Sequence, residues 1–336
     1  MPETIPSFSF IVPVYNTADY IESCIRSVLN QSFDDLEVIA VNDGSTDASL
    51  DILDAMARHD PRLRVFSKEN GGQGAARNYA LGKARGRYVA FVDSDDTILP
   101  ELCAVANAIL ADASVNVVSF GIEFVDPEGR TVARRSPDRN ARSTGRAVFA
   151  DAMLDRNFYT VVWNKVYRRS LLTDHDIRFP ELRAYEDSVF SRLVALHANK
   201  VAYLDKPLYF ALTRSGSTSR GMTQVSFTRA ADMLALERRL FRDQFADPAL
   251  QAAFHAHAAH FLAYLTVLAA FRIDDPRERA ACRRIADDAG FRDYAHDRHA
   301  LTLLNAKAKT QIFLARHPVL LRAAALVARR LGRVPY

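Results

Sequence analysis

Between residues 9 and 92 the chain alternates between strand-like apolar runs and helical periodicity, and this alternation narrows the possible folds more than any other feature. Residues 9–14 form an apolar run of strand length, Ile21, Ile25, Val28 and Leu29 recur at helical spacing, and residues 36–41 read as strand again. Leu50, Leu53 and Met56 are helical; residues 62–66 and 87–92 add two strands around a helix expected over 75–84. Strand and helix in this order build a parallel sheet with right-handed crossovers. Ligands are then expected at the carboxyl ends of the strands.

From Val115 the pattern changes to strand and hairpin, with Asp126-Pro127-Glu128-Gly129 as the turn. A helix is expected over 144–156, and another opens at Tyr185-Glu186-Asp187-Ser188 with Val189, Leu193 and Leu196 in period. Two strands, 200–204 and 208–213, follow, and beyond Ser226 every segment reads as helical. The domain boundary is therefore expected near residue 222, with a catalytic or binding domain over 1–222 and a helical region over 223–336.

The strand ends hold the residues with chemistry to offer. The first ends Pro13-Val14-Tyr15-Asn16, the second Asn42-Asp43-Gly44-Ser45-Thr46-Asp47, and the fourth Asp93-Ser94-Asp95-Asp96. Clustered carboxylates repel one another and cost several kcal/mol each to desolvate, so the last group calls for a cation, most simply a hard divalent metal carrying a phosphorylated ligand. Asp43 suits the imide N–H of a pyrimidine. Ser45 or Thr46 can cap the next helix, with Asp47 in its first turn.

A second constellation, residues 69–78, is a glycine-rich turn feeding a helix. Gly72-Gln73-Gly74 with Asp93 downstream imitates a dinucleotide fingerprint, but Arg77 replaces the third glycine and the motif follows the third strand rather than the first. The guanidinium of Arg77 is instead suited to a diphosphate.

These residues together resemble the family 2 glycosyltransferases, inverting nucleotide-sugar enzymes of the GT-A fold. The resemblance rests on Phe10-Ile11-Val12-Pro13-Val14-Tyr15-Asn16, Val41-Asn42-Asp43-Gly44-Ser45-Thr46-Asp47, Gly74-Ala75-Ala76-Arg77-Asn78, Asp93-Ser94-Asp95-Asp96, Trp163-Asn164-Lys165 and Tyr185-Glu186-Asp187, in that order over roughly residues 7–220. It implies an α/β fold, Rossmann-like and mostly parallel with flanking helices, followed by an all-α C-terminal region. It also implies a nucleotide-sugar donor, with UDP-sugar expected, a glycan or lipid-linked acceptor, and a place in bacterial surface-glycan synthesis. Pro13, Tyr15, Asn16, Asp43 and Asn70 would hold the nucleotide. Asp93 would face the ribose, Ser94 would also contact the donor, Asp95 would bind Mn2+ or Mg2+ bridging the diphosphate, and Asp96 would cap the next helix. Asp187 would be the general base with Glu186 beside it. Arg214 and Ser217, in the polar stretch 214–220, would close over the diphosphate, and Trp163 and Lys165 would line the sugar or acceptor site. One departure from the family pattern is Asn42, where an aspartate is common.

Composition excludes several classes. With 44 basic and 40 acidic residues the excess of positive charge is small, and it falls in the last 23 residues, which carry five arginines and no acid. A near-neutral body with a basic tail does not suit nucleic acid. No apolar run reaches the ~18 residues needed to span a bilayer, and no secretory signal opens the chain. The three cysteines, Cys24, Cys103 and Cys282, lack metal-ligand spacing and suit free thiols in a reducing cytoplasm. His255, His257 and His260 do not share a helix face and are expected to be packing or surface residues.

Within the tail, Leu320, Ala324, Val327 and Leu331 share one helical face and Arg322, Arg329 and Arg333 the opposite one. Such a helix suits packing on the other C-terminal helices, contact with a second subunit, or peripheral attachment of a cytoplasmic protein to the inner face of the membrane through residues 314–336. Two rival functions are weighed against the transferase. A sugar nucleotidyltransferase would need a basic glycine-rich loop after the first strand, which Val14-Tyr15-Asn16-Thr17 is not. A non-catalytic glycan-binding or scaffold protein would be free to lose Asp43, Asp95 and Asp187, all present here.

Overall fold

The computed structural model describes residues 5–141, 143–213 and 223–330, and the chain divides into two compact units, Met1–Glu181 with Glu186–Ser215, and Leu182–Tyr185 with Gly216–Tyr336. The first unit is built on one mixed sheet. Strands β1 (Phe8–Val14), β2 (Leu36–Asp43), β3 (Leu63–Lys68) and β4 (Tyr88–Phe91) are mutually parallel, and α1 (Ile21–Leu29), α2 (Ser49–Ala57) and α3 (Gln73–Leu81) are their crossovers. After the two-residue strand β5 (Thr97–Ile98) and α4 (Leu102–Leu110) come β6 (Val115–Val125), β7 (Thr131–Arg135), α5 (Arg146–Met153), β8 (Lys165–Arg168), α6 (Arg169–Asp174), α7 (Glu186–His197) and β9 (Lys200–Leu212). The sheet order is β3-β2-β1-β4-β8-β6-β9-β5, with β7 paired to β6. Only β8 and β5 run against their neighbours on this path, so the C-terminal ends of β1–β4, β6 and β9 share one edge.

All seven residues of β1 are buried, as a central strand covered on both faces must be. Phe8, Phe10, Val12 and Val14 pack with Ile21, Cys24, Ile25 and Val28 of α1 and Leu102, Cys103 and Ala106 of α4. On another side of Phe91 an aromatic cluster forms, its ring lying 5.3–5.7 Å from Tyr167, Phe179 and Phe190. Proline is tolerated at position 13 because β4 pairs with β1 only as far as Ile11. The strands separate there, and the crevice opens.

The two strands expected at 200–204 and 208–213 are one, β9. Its interruption at Pro207 is absorbed as a register shift opposite Gly121, where any Cβ would come within 3.0 Å of the Pro207 nitrogen.

The second unit is helical throughout its described residues: α8 (Gln224–Leu240), a 3-10 turn (Arg242–Ala246), α9 (Pro248–Arg272), α10 (Pro276–Asp288), α11 (Phe291–His296), α12 (Arg298–Thr302), α13 (Ala306–Arg316) and α14 (Pro318–Arg330). Two Asp-Pro pairs start helices in the same way. Asp247 and Asp275 each accept the N–H two residues on, and the following proline, with no N–H to lose, occupies the first turn. α9 is long and apolar enough to cross a membrane, but 61% of its apolar window is buried, as suits a core helix. His255 pairs with Asp297 at 2.7 Å, His260 with Gln311 at 3.0 Å and His257 with Glu237 at 3.5 Å, so each histidine is engaged in packing within the unit. In α14 the inward residues are Leu321 and Ala325. Leu320 and Val327, expected on one shared apolar face, are exposed, because apolar residues run nearly all round this helix and packing selects the arc centred on Leu321.

Candidate active site

The shared strand edge of the first unit gathers the three expected strand ends. Asp43, the last residue of β2, is buried, and its carboxylate accepts N–H groups from Gly71 (3.0 Å) and Gly72 (2.8 Å) and the ammonium of Lys68 (2.6 Å). Asn70 closes the arrangement by donating its side-chain amide to the Asp43 carbonyl at 2.9 Å. Asp43 thus moulds the glycine-rich turn. Gly44, at φ 74°, lies where a Cβ would be 3.0 Å from the Asn70 nitrogen, so only glycine lets the two turns approach.

Asn16 joins the first strand end to the second. Its side-chain oxygen accepts the Thr46 N–H at 2.8 Å, and its own N–H donates to Ser45 Oγ. Ser45 and Thr46 therefore fasten two turns together and do not cap α2; Asp47 accepts the N–H groups of Ala18 and Ser49 just before that helix. Pro13 is buried within β1, whereas Tyr15 is half exposed at the crevice mouth.

At the end of β4, Asp93 and Asp95 are partly buried, Ser94 is buried and accepts the Thr17 hydroxyl at 3.0 Å, and Asp96 is directed inward. Asp96 accepts the Tyr209 hydroxyl and the Leu212 N–H, both at 2.7 Å, while the Asp93 N–H donates to that same hydroxyl. The helix-capping role expected of Asp96 is thus replaced by a clamp on the end of β9. Burial pushes the Asp96 carboxyl well up, and Asp93 and Asp95 push it further.

Arg77 departs from expectation. Its side chain is fully buried: Nη1 meets Asp187 Oδ1 at 2.5 Å with Glu186 at 3.8 Å, Nη2 meets Asp93 Oδ1 at 2.8 Å, and the guanidinium lies 5.3 Å from the Phe179 ring. So enclosed, it cannot extend to a diphosphate, as expected of it; it gathers three carboxylates instead. Its position is forced by Gly74, where a Cβ would meet Glu186 Cγ at 3.1 Å, so α3 and α7 start in close contact. Asp187 keeps a quarter of its side chain exposed, and its Oδ2 accepts no hydrogen bond among the described residues. Burial raises its carboxyl to about 7; the Arg77 charge opposes that rise, and Glu186 and Asp93 add to it.

Trp163 and Lys165 do not act alike. Trp163 stacks on Tyr209 with centroids 4.5 Å apart, beside the Asp93–Asp96 turn. Lys165 is fully buried, and its ammonium donates to the carbonyls of Tyr159 and Val161 and to Asn164 Oδ1 at 2.6–2.7 Å. An acceptor-lining role is excluded by that enclosure; Lys165 ties down the loop before β8. Arg214 and Ser217 lie outside the described residues. Lys68 and Tyr209 were not foreseen, since neither belongs to a motif and each reaches the site only through strand pairing.

The site can be tested for a metal on its own chemistry. Among the described residues no group of three or more His, Cys, Asp or Glu forms a self-sufficient cage. Asp93 and Asp95 push the Asp96 carboxyl up beyond the effect of its burial, and such crowding of carboxylates suits a hard cation held by few of them and completed by phosphate oxygens and water.

With this geometry in view, comparison with known proteins is informative. Residues 9–193 match the model of glycosyl transferase family 2. EpsH of Bacillus subtilis (strain 168), which is named a glycosyltransferase, is 40% identical over 212 residues, covering 61% of this chain and 60% of EpsH. TarS of Staphylococcus aureus (strain Mu50), named a poly(ribitol-phosphate) beta-N-acetylglucosaminyltransferase, is 36% identical over 238 residues, 68% of this chain and 40% of TarS. The chain thus spans less than two thirds of the length of these relatives. A crystal structure of S. aureus TarS 1–349 in complex with UDP-GlcNAc superimposes with TM-score 0.68 at 26% identity, covering 97% of this chain and 92% of that one. The mixed sheet flanked by helices is accordingly of the GT-A kind, a helical region follows it, and the chain belongs to glycosyl transferase family 2.

Proposed function

We propose that the chain is an inverting glycosyltransferase that moves a hexosyl or N-acetylhexosaminyl group from a UDP-sugar to an acceptor hydroxyl during synthesis of a bacterial surface glycan, at the cytoplasmic side of the membrane. The observation that carries this reading is the Asp187 carboxylate, held through one oxygen by a buried arginine, its other oxygen unengaged among the described residues, next to the aspartates that end β4. The UDP-GlcNAc complex of TarS and the names of the bacterial relatives support the donor and the pathway.

In this mechanism Asp187 accepts the acceptor's hydroxyl proton as that oxygen attacks the anomeric carbon; the bond from carbon to diphosphate breaks on the opposite face, and configuration inverts. Arg77 fixes the carboxylate's orientation, so the base is aimed before substrate arrives. Asp43 and the Gly71-Gly72 turn shape the wall against which the nucleotide base rests, and Tyr15 offers it a ring. Asp95, with Asp93 beside it, would hold Mn2+ or Mg2+ together with the diphosphate, an ion that supplies Lewis-acid stabilisation to the departing UDP.

A panel of UDP-, GDP- and dTDP-sugars, assayed for donor hydrolysis and thermal stabilisation with and without Mn2+, tests the reading. Metal-dependent turnover confined to UDP-sugars is expected. Preference for another nucleotide would overturn the donor assignment, and turnover undiminished by chelator would overturn the metal.

A further inference from the structure

The helical unit exposes a face for which the sugar-transfer reading has no use. After Asp297 the sequence holds eight Lys or Arg and no Asp or Glu, whereas the preceding 297 residues hold 36 basic against 40 acidic. The same short segment concentrates exposed apolar side chains. Of the twelve large hydrophobic residues exposed among the described ones, five lie between positions 313 and 327: Phe313 (51% exposed), Val319 (77%), Leu320 (48%), Leu326 (63%) and Val327 (57%).

Local geometry brings the four on α14 onto one surface. His317 precedes a proline, which disfavours helical backbone at that position; α13 ends there, and α14 departs at 112°. α14 is anchored by Leu321 and Ala325, which are buried, and this fixes its rotation about its axis. At 100° per residue, Val319, Leu320, Leu326 and Val327 then fall in one outward arc, with Arg322 at its margin. An apolar arc bordered by positive charge is the pattern of a helix lying in a lipid headgroup layer.

We propose that the α13–α14 face docks on an anionic lipid surface, with Val319, Leu326 and Val327 entering the headgroup boundary and the basic residues meeting lipid phosphates. A second copy of the chain is the poorer occupant, because pairing this face with itself would bring two all-basic segments together. A bilayer rich in acidic lipid offers the opposite charge. The proposal does not depend on the sugar-transfer reading, since binding is measured without donor or acceptor.

The test is flotation of the full chain with vesicles of phosphatidylcholine alone and of phosphatidylcholine containing about 30 mol% phosphatidylglycerol, at low and high salt. Binding should favour the acidic vesicles by at least about tenfold and weaken with salt. Val319→Ser with Leu326→Ser, both exposed and so compatible with folding, should lower it by a further factor of about ten or more. Arg322→Gln should cost about fivefold. Equal binding to both vesicles, or binding indifferent to the serine pair, overturns the proposal. So does sedimentation showing a dimer that the serine pair dissociates, which would assign the face to a second copy.

Discussion

Arg77 is fully buried with three carboxylates around it, and its role is to organise charge rather than to touch a ligand. Burial raises the Asp187 carboxyl despite the ion pair with Arg77, and the neighbouring Glu186 and Asp93 add to the rise. A base must be deprotonated to act, so kcat/KM should fall on the acid side with a midpoint near pH 7 in the free enzyme, a profile read from initial rates across pH 5–9. A midpoint near 4 would mean that Asp187 is not the group titrating. Lys165 makes a different claim. Replacing it with Met removes three hydrogen bonds and leaves buried oxygens unsatisfied, so Lys165→Met should lose roughly 2–5 kcal/mol in denaturant unfolding. A loss of activity at unchanged stability would instead restore it to the acceptor site.

Among the elements, two turns do most to shape the crevice: the one after β2 and the glycine-rich one before α3. Gly44→Ala must strain a φ of 74° and press a methyl to 3.0 Å from the Asn70 nitrogen, costing more than about 1 kcal/mol and displacing the Asp43 wall. Calorimetry should therefore show UDP binding weakened by about tenfold or more in that variant. Unchanged affinity would separate the turn from nucleotide binding. These turns were legible in the sequence because strand period, glycine and aspartate are local signals. The pairing of Arg77 with Asp187 was not, since 110 residues separate them and only the α3–α7 contact brings them together. Lys165 misled for a related reason: beside Trp163 and Asn164 it has the composition of a site residue, and its burial is set by the fold around it. Asp96 failed as a cap because Tyr209 and Leu212, unseen partners on β9, claim its oxygens.

At the scale of the whole molecule, the parallel half of the sheet and the change to an all-helical region could be read from hydrophobic period. The rotation of α14 could not, because two of its arcs are apolar and only tertiary contact chooses between them. The folded chain also carries a pH signature. A carboxyl whose folded pKa exceeds its unfolded value contributes stability that is fully present below the unfolded value and is lost as pH rises through the folded one. Asp187, raised from 3.8 to about 7, and Asp96, also raised, both act in this sense. Glu37, lowered because hydrogen bonds from Ser9, Arg85 and Arg64 outweigh its burial, acts in the opposite sense only below about pH 4.5, and Lys165, lowered to about 7 by burial, only above about 7. Burial also lowers His197 and His260 from 6.5, and these act against the carboxyls over the same interval, so the signature is read by difference: between pH 5.5 and 7, without ligand or metal, the melting temperature of the parent should fall relative to that of Asp187→Asn, and parallel curves would contradict the charge assignment.

The central claim is that this charge cluster exists to present Asp187 as the base. Asp187→Asn preserves size while losing both the capacity to take a proton and the negative charge that faces Arg77, so the decisive measurement is sugar transfer by that variant under conditions where its UDP affinity has been verified by calorimetry. The account predicts donor binding within a factor of about three of the parent and transfer reduced by about a thousandfold or more. Transfer at the parental rate with donor bound would contradict it.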